Sequence, residues 1–169
     1  MAGLEWYLEG IKLADDCVIS HIKCWLKKNG YSKNKSFYLK KLIESLVKIE
    51  IQNNSYDKSQ HYINVTIYFD QKTIELFQLK NDVGVWVRLE SLNADRKIEY
   101  LNALNAKSEI SDKNRFQLID SLFDSELLFL LDHWSTFKGA EVHFRGGYLK
   151  HQAVSQELKI RWSHVTSEN

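Results

Sequence analysis

Apolar residues recur with a helical period through the first part of the chain. From residue 4 to residue 28 they form a wide stripe, which predicts one long helix covered on most sides by its own fold or by a partner. Asp15 falls inside the apolar arc, where a carboxylate needs a hydrogen-bonded partner or a changed protonation state. We expect Asp15 to be a buried anchor, a residue at the margin of the helix or an acid that faces a partner.

A second helix is predicted over 36–49, where leucines and β-branched residues share one helical face. The period then changes to two. Residues 62–69, 73–79 and 83–89 alternate apolar and polar side chains between short polar turns, and this pattern predicts a three-stranded antiparallel meander.

Helical periodicity returns over 93–106, with Asn93 as the expected cap, and again over 112–134. Ser125 offers an alternative start for a second, shorter helix inside that range. The run 127–131 is apolar all round, so we expect it to be buried.

Strand periodicity marks the last third of the chain. Gly146 and Gly147 separate two alternating segments, 141–145 and 148–152, which predicts a hairpin because both glycines can adopt positive φ. A final strand is expected over 158–165.

The predicted elements follow the order ααβββα(α)βββ. That order favours a single α+β domain, residues 1–169, in which an antiparallel sheet carries its helices on one face. With 169 residues, 44% of them hydrophobic, the chain is long and apolar enough to bury a core.

Composition narrows the functional classes. The net charge of +1 gives the whole chain no strong attraction to nucleic acid, and no apolar run is long enough to span a membrane. The first residues carry no basic leader, so we expect a cytoplasmic protein. Frequent Lys, Asn and Ile indicate an AT-rich gene, which suits a bacterial or phage source.

Cys17, His21 and Cys24 share one face of the first helix. The usual short spacing of a zinc site is missing, so we expect buried cysteines and a hydrogen-bonded histidine, with no metal. The cysteines lie about 10 Å apart on a helix, too far for a disulfide.

The predicted hairpin carries the largest group of candidate functional side chains. Its polar face carries Glu141, His143, Arg145, Tyr148 and Lys150, and Lys159 and Arg161 extend it if the last strand pairs nearby. Three interpretations stay open: a solvated outer face, a contact surface for an acidic partner, or general acid–base catalysis on a phosphodiester. Catalysis would use His143, Arg145 and Lys150.

Histidines gather late in the chain. His133, His143, His151 and His164 could form an acid–base or metal site if the fold brings them together.

Charge is segregated along the chain. Lysines dominate residues 23–48, where Glu44 is the only acid, and acids dominate residues 109–132. Each of these two charged segments can attract a partner of opposite charge. Aromatic residues among the lysines of the basic segment leave contact with nucleic acid open.

Motifs of common nucleotide-dependent and hydrolytic enzymes are missing from the sequence. Many Trp and Tyr residues favour contact surfaces. We therefore expect a non-catalytic protein-binding module without a cofactor, such as a bacterial or phage inhibitor or an immunity protein that neutralises a toxin. A small nuclease using the hairpin face and a homo-oligomer formed through the first helix are the alternatives.

Overall fold

The computed structural model describes residues 17–70, 84–148 and 153–164. Asp15, Lys150 and the predicted strand over 73–79 lie outside the described residues. Within the first range, residues 17–28 are helical (α1). Helix α1 gives way to a turn in which Gly30 has a φ of 80°.

In the described ranges, six strands form one antiparallel sheet in chain order. The strands are β1 (Ser32–Asn34), β2 (Phe37–Lys41), β3 (Leu46–Asn53), β4 (His61–Tyr68), β5 (Gly84–Arg88) and β6 (Ala153–Val154). The predicted strands over 62–69 and 83–89 correspond to β4 and β5, and these two strands are hydrogen-bonded neighbours.

The helix predicted over 36–49 is wrong, because this segment forms the β2–β3 hairpin. Its apolar positions also fit a period of two: Val47 and Ile49 point into the core, while Leu46 packs on the opposite face. Pairing along the full length of β4 sets the outcome, with Ile49 opposite Val65. Ladder bonds and burial on both sides of β3 outweigh a weak local preference for helix.

Besides α1, the described part of the chain contains five α-helices. They are α2 (Lys97–Ala103), α3 (Asp112–Ser121), α4 (Leu128–Trp134), α5 (Phe137–Arg145) and α6 (Gln156–His164). A π-helical segment, Leu122–Leu127, joins α3 to α4, so residues 112–134 run as one long helix without a break at Ser125. The helix predicted over 93–106 is shorter, and Asn93 is not its cap. Arg96 is the N-cap residue, without a side-chain cap bond, and the Asn93 side chain accepts the N–H of Arg96 in the preceding turn.

The predicted hairpin over 141–152 and the strand over 158–165 are wrong, because residues 137–145 and 156–164 are helical. Thr136 begins α5 by accepting a bond from the N–H of Gly139. The two glycines end that helix, and Gly147 takes a φ of 77°. Positive φ suits a helix C-terminus as well as a hairpin turn, so this signal alone did not distinguish them.

The core lies between one face of the sheet and the helices. Side chains from β3, β4 and β5 form a single cluster with α1 and with the long helix, for example Ile22, Val65, Phe123 and Trp134. The predicted α+β architecture with helices on one face is therefore confirmed. Within the described ranges, no helix is long and apolar enough to cross a membrane.

Candidate functional site

An open groove of about 700 Å³ lies between the β2–β3 turn and the long helix. Its lining residues come from these two walls: Lys40, Leu42, Ile43, Asp124, Ser125, Leu128, Phe129, Leu131, Asp132 and Ser135. We call this feature the groove.

Large apolar side chains on both walls of the groove face solvent. Ile43 is 77% exposed, Phe129 54% and Leu128 40%. The expectation that the whole run 127–131 is buried is therefore wrong, because only one side of that helix meets the core. Exposed apolar residues on two facing elements are typical of a contact surface.

Hydrogen bonds hold the two walls together at one end. The Glu44 N–H donates to the Ser135 carbonyl at 2.9 Å, and the Ser45 hydroxyl donates to the Trp134 carbonyl at 3.1 Å. The Glu44 carboxylate accepts the N–H of Phe137 at 2.8 Å. The groove is consequently preformed.

One basic and two acidic side chains line opposite walls of the groove. Lys40 belongs to the basic segment, and its ammonium donates to the Asn29 carbonyl at 3.0 Å. Asp124 and Asp132 belong to the acidic segment on the opposite wall. Asp124 also accepts a bond from the Trp25 indole at 2.9 Å, which ties α1 to the long helix.

A stack of rings lies beside the groove. The His143 imidazole is sandwiched between His133, with ring centroids 4.3 Å apart, and Tyr148, with centroids 4.6 Å apart. Phe129 contacts both histidine rings. We call these four residues the histidine stack. Because Phe129 also lines the groove, the two features share a side chain.

Hydrogen bonds define the tautomers of the two histidines. Nδ1 of His143 accepts from the Trp134 indole at 3.1 Å, so neutral His143 carries its proton on Nε2. Nδ1 of His133 donates to the Phe129 carbonyl at 2.8 Å, so Nε2 of neutral His133 carries no proton. Burial, and then the neighbouring His133, lower the pKa of His143.

A cavity of about 90 Å³ adjoins this stack. It is lined by His143, Tyr148 and Glu126, together with apolar side chains from the long helix and the loop before α2. The Glu126 carboxylate accepts bonds from Asn93 and from the Tyr100 hydroxyl. Acid and base groups are therefore close, but the described residues contain no group of three metal-ligating side chains.

The predicted hairpin face is not assembled. Glu141 is buried and accepts bonds from Lys138 and Arg145 on its own helix. Burial opposes its ionisation, but the hydrogen bonds and the positive charges of Lys138 and Arg145 together outweigh burial and lower the pKa of Glu141. Arg145 also donates to the Trp162 carbonyl, so its guanidinium is engaged in joining α5 to α6.

Of the remaining predicted contact residues, Tyr148 stays beside His143 in the histidine stack, whereas Lys159 and Arg161 lie on a different helix. Tyr148 is exposed in the turn after α5. Lys159 and Arg161 are on α6, where Arg161 pairs with Glu157. No common face of a strand unites them, because α5 and α6 replace the expected strands.

The Cys17–His21–Cys24 face behaves differently from the expectation. Both cysteines are free and exposed, so their predicted burial is wrong. The expected hydrogen bond of His21 is present: its Nε2 lies 2.7 Å from Asp120 and its ring stacks on Phe116.

Sequence reasoning missed the groove. The signals were present in two separate places, an apolar run at 127–131 and Leu42–Ile43 between lysines and Glu44. Comparison of the chain with protein-family models, with curated proteins and with solved structures gives no match.

Proposed function

We propose that the protein is a non-catalytic protein-binding module that holds its partner in the groove. The observation that carries the proposal is the exposure of Ile43, Leu128 and Phe129 on the two walls of one preformed groove. Apolar side chains gain most from being covered by a partner, and an aromatic residue in the patch is a typical anchor.

The rigid joint between the walls supports the proposal. Glu44 and Ser45 fasten the turn to the end of the long helix through backbone carbonyls and a backbone N–H. A surface that is already shaped loses little conformational entropy when a partner binds. Inhibition by complex formation, as in an immunity protein acting on a toxin, is the form of binding that this proposal favours.

Nuclease activity has less support from the geometry. It requires His143 to work with Arg145 and Lys150, but both faces of the His143 ring are covered and Arg145 is bonded to Glu141 and Trp162. Self-association through α1 also has less support, since Val18 and Ile22 pack in the protein's own core.

The test is affinity capture from cells that express the gene. The wild-type protein is immobilised beside Ile43→Ser and Phe129→Ser variants, and retained proteins are identified and quantified. We expect one partner in stoichiometric amount with the wild type and at least about tenfold less with either variant, since each truncation removes a buried anchor worth about 1.4 kcal/mol or more.

The matched control is Ile98→Ser. Ile98 is 74% exposed on α2 and does not line the groove, so its replacement removes similar apolar surface elsewhere. Equal capture by all four proteins, or no captured partner, would contradict the proposal. Circular dichroism of each variant checks that the fold is retained.

A further inference from the structure

We infer that the partner presents an amphipathic helix to the groove, with basic residues along the flank that faces the long helix and an acidic residue along the flank that faces Lys40. This inference rests on the proposed function and specifies its partner. It follows from the position of Lys40 on one wall of an apolar groove and of Asp124 and Asp132, remote in sequence, on the other wall.

Charge sets the two flanks. The long-helix wall carries Asp124 and Asp132, and the turn wall carries Lys40. The Asp132 side chain is exposed, so a basic partner residue can reach it from solvent. A partner helix bearing the opposite arrangement of charges would place like charges at close range, which disfavours the complex.

Backbone bonding favours a helix over an extended peptide. The Leu42 N–H is already taken by the Ser45 carbonyl, and the Glu44 N–H by the Ser135 carbonyl. The opposite wall is itself helical, so its backbone groups bond internally. An extended peptide would gain no strand ladder from these walls, whereas a helix satisfies its own backbone.

The spacing of the two acids on the long-helix wall also fits a helical partner. Asp124 and Asp132 are separated by about 12 Å along the long helix, which matches roughly two turns of a partner helix. Apolar anchors at i, i+3 or i+4 and i+7 on such a helix would cover Leu128, Phe129 and Ile43 together.

Three designed helical peptides with one identical leucine stripe provide the test. The first has lysines on one flank and glutamates on the other, the second has glutamates on both, and the third has lysines on both. Binding to ¹⁵N-labelled protein is followed by NMR. We expect the mixed-flank peptide to bind most tightly, about fivefold or more over the peptide with two acidic flanks.

Charge reversal on the protein checks the geometry. Asp132→Lys should remove the preference for the mixed-flank peptide over the peptide with two acidic flanks. Glu109→Lys, the same change outside the groove, should preserve this preference. The inference is overturned if the peptide with two acidic flanks binds equally well, or if the two variants behave alike. It is also overturned if no peptide shifts groove resonances, or if light scattering shows a dimer that Phe129→Ser abolishes, since a second copy would then occupy the groove.

These outcomes separate the inference from the function on which it rests. Capture that depends on Phe129, combined with no peptide preference, would leave the binding function standing and reject the helical partner. If capture does not depend on Phe129 and the peptides also show no preference, the groove is not the binding surface.

Discussion

The indole of Trp134 donates a 3.1 Å hydrogen bond to Nδ1 of His143, and this bond joins α4 to α5. A second proton on His143 must enter at Nδ1, directly opposite the indole N–H, so protonation replaces an acceptor by a donor. The stacked ring of His133 adds repulsion if both histidines are charged. The contact therefore depends on a neutral His143.

Stability should fall in mildly acidic solution because of His143. Its pKa is lowered by burial and then by His133, so the folded protein binds fewer protons there than the unfolded chain. This contribution is complete above the ordinary pKa of 6.5 and is lost as pH falls through 6.5 toward the lowered value. Urea unfolding at a series of pH values measures the slope. In His143→Gln, whose amide oxygen can still accept from Trp134, the slope should decrease, and an unchanged slope would contradict the assignment.

Glu90→Gln should stabilise the protein at neutral pH. Glu90 is fully buried: Oε2 accepts the N–H of Ile63, and Oε1 has no hydrogen-bond partner in the described part of the chain, although Nε of the partly exposed Arg88 lies 3.7 Å from it. Burial raises the pKa of Glu90, so the folded state binds more protons than the unfolded state and stability declines as pH rises from the ordinary value of 4.5 through the raised pKa. Glutamine keeps the acceptor for Ile63 and removes the charge.

The gain in Glu90→Gln should shrink as pH is lowered toward 4, where wild-type Glu90 is protonated. Thermal unfolding of Glu90→Gln and of Glu99→Gln, an exposed acid on α2, provides the comparison. A gain that is independent of pH would show that charge burial is not its cause.

Arg115→Met should be strongly destabilising. The buried Arg115 guanidinium donates to the carbonyls of Ala103, Asn105 and Ser108, which close the C-terminal end of α2 and the turn after it. Methionine removes these three bonds from a buried site, where the Asn105 carbonyl keeps only its bonds from Ser108. We expect a loss of about 3 kcal/mol or more in unfolding free energy. Lys113→Met, on the exposed side of α3, the helix that carries Arg115, should change stability by less than about 0.5 kcal/mol. Similar losses in both variants would contradict this role.

Gly139→Ala should destabilise the protein, although alanine is the better helix former by about 1 kcal/mol. A Cβ at position 139 would lie 2.1 Å from the carbonyl oxygen of His133, a backbone atom that cannot rotate away. Relieving the clash must separate α5 from the end of α4, at a cost of about 2–3 kcal/mol. Denaturant unfolding measures the change. An unchanged or increased stability would mean that α5 packs less closely than the structure indicates.

Periodicity by itself determined much of the architecture. Ile63, Val65 and Ile67 alternate over enough residues to define β4, and the apolar face of 112–134 persists long enough to define the long helix. Sustained patterns of this kind fit only one regular structure. With the period of the other structure, the apolar side chains would no longer share one face, and many of them would be exposed.

Short segments were decided only by the tertiary structure. The sequence around Val47 suits either a helix or a strand, and pairing with β4 makes it a strand. The sequence around His143 alternates like a strand, yet it becomes a helix whose contacts include Trp134 and Trp162. Local preferences differ by fractions of a kcal/mol per residue, so burial and hydrogen bonding across the fold outweigh them.

The groove illustrates the same division. Ile43 and Phe129 are remote in sequence, and neither position carries a local mark of the groove that both line. The basic and acidic segments were visible from composition, but their meeting on opposite walls required the β2–β3 turn to dock on the end of α4 through Glu44 and Ser45. Charge segregation is a property of the sequence, whereas its placement around an apolar surface depends on packing over long separations.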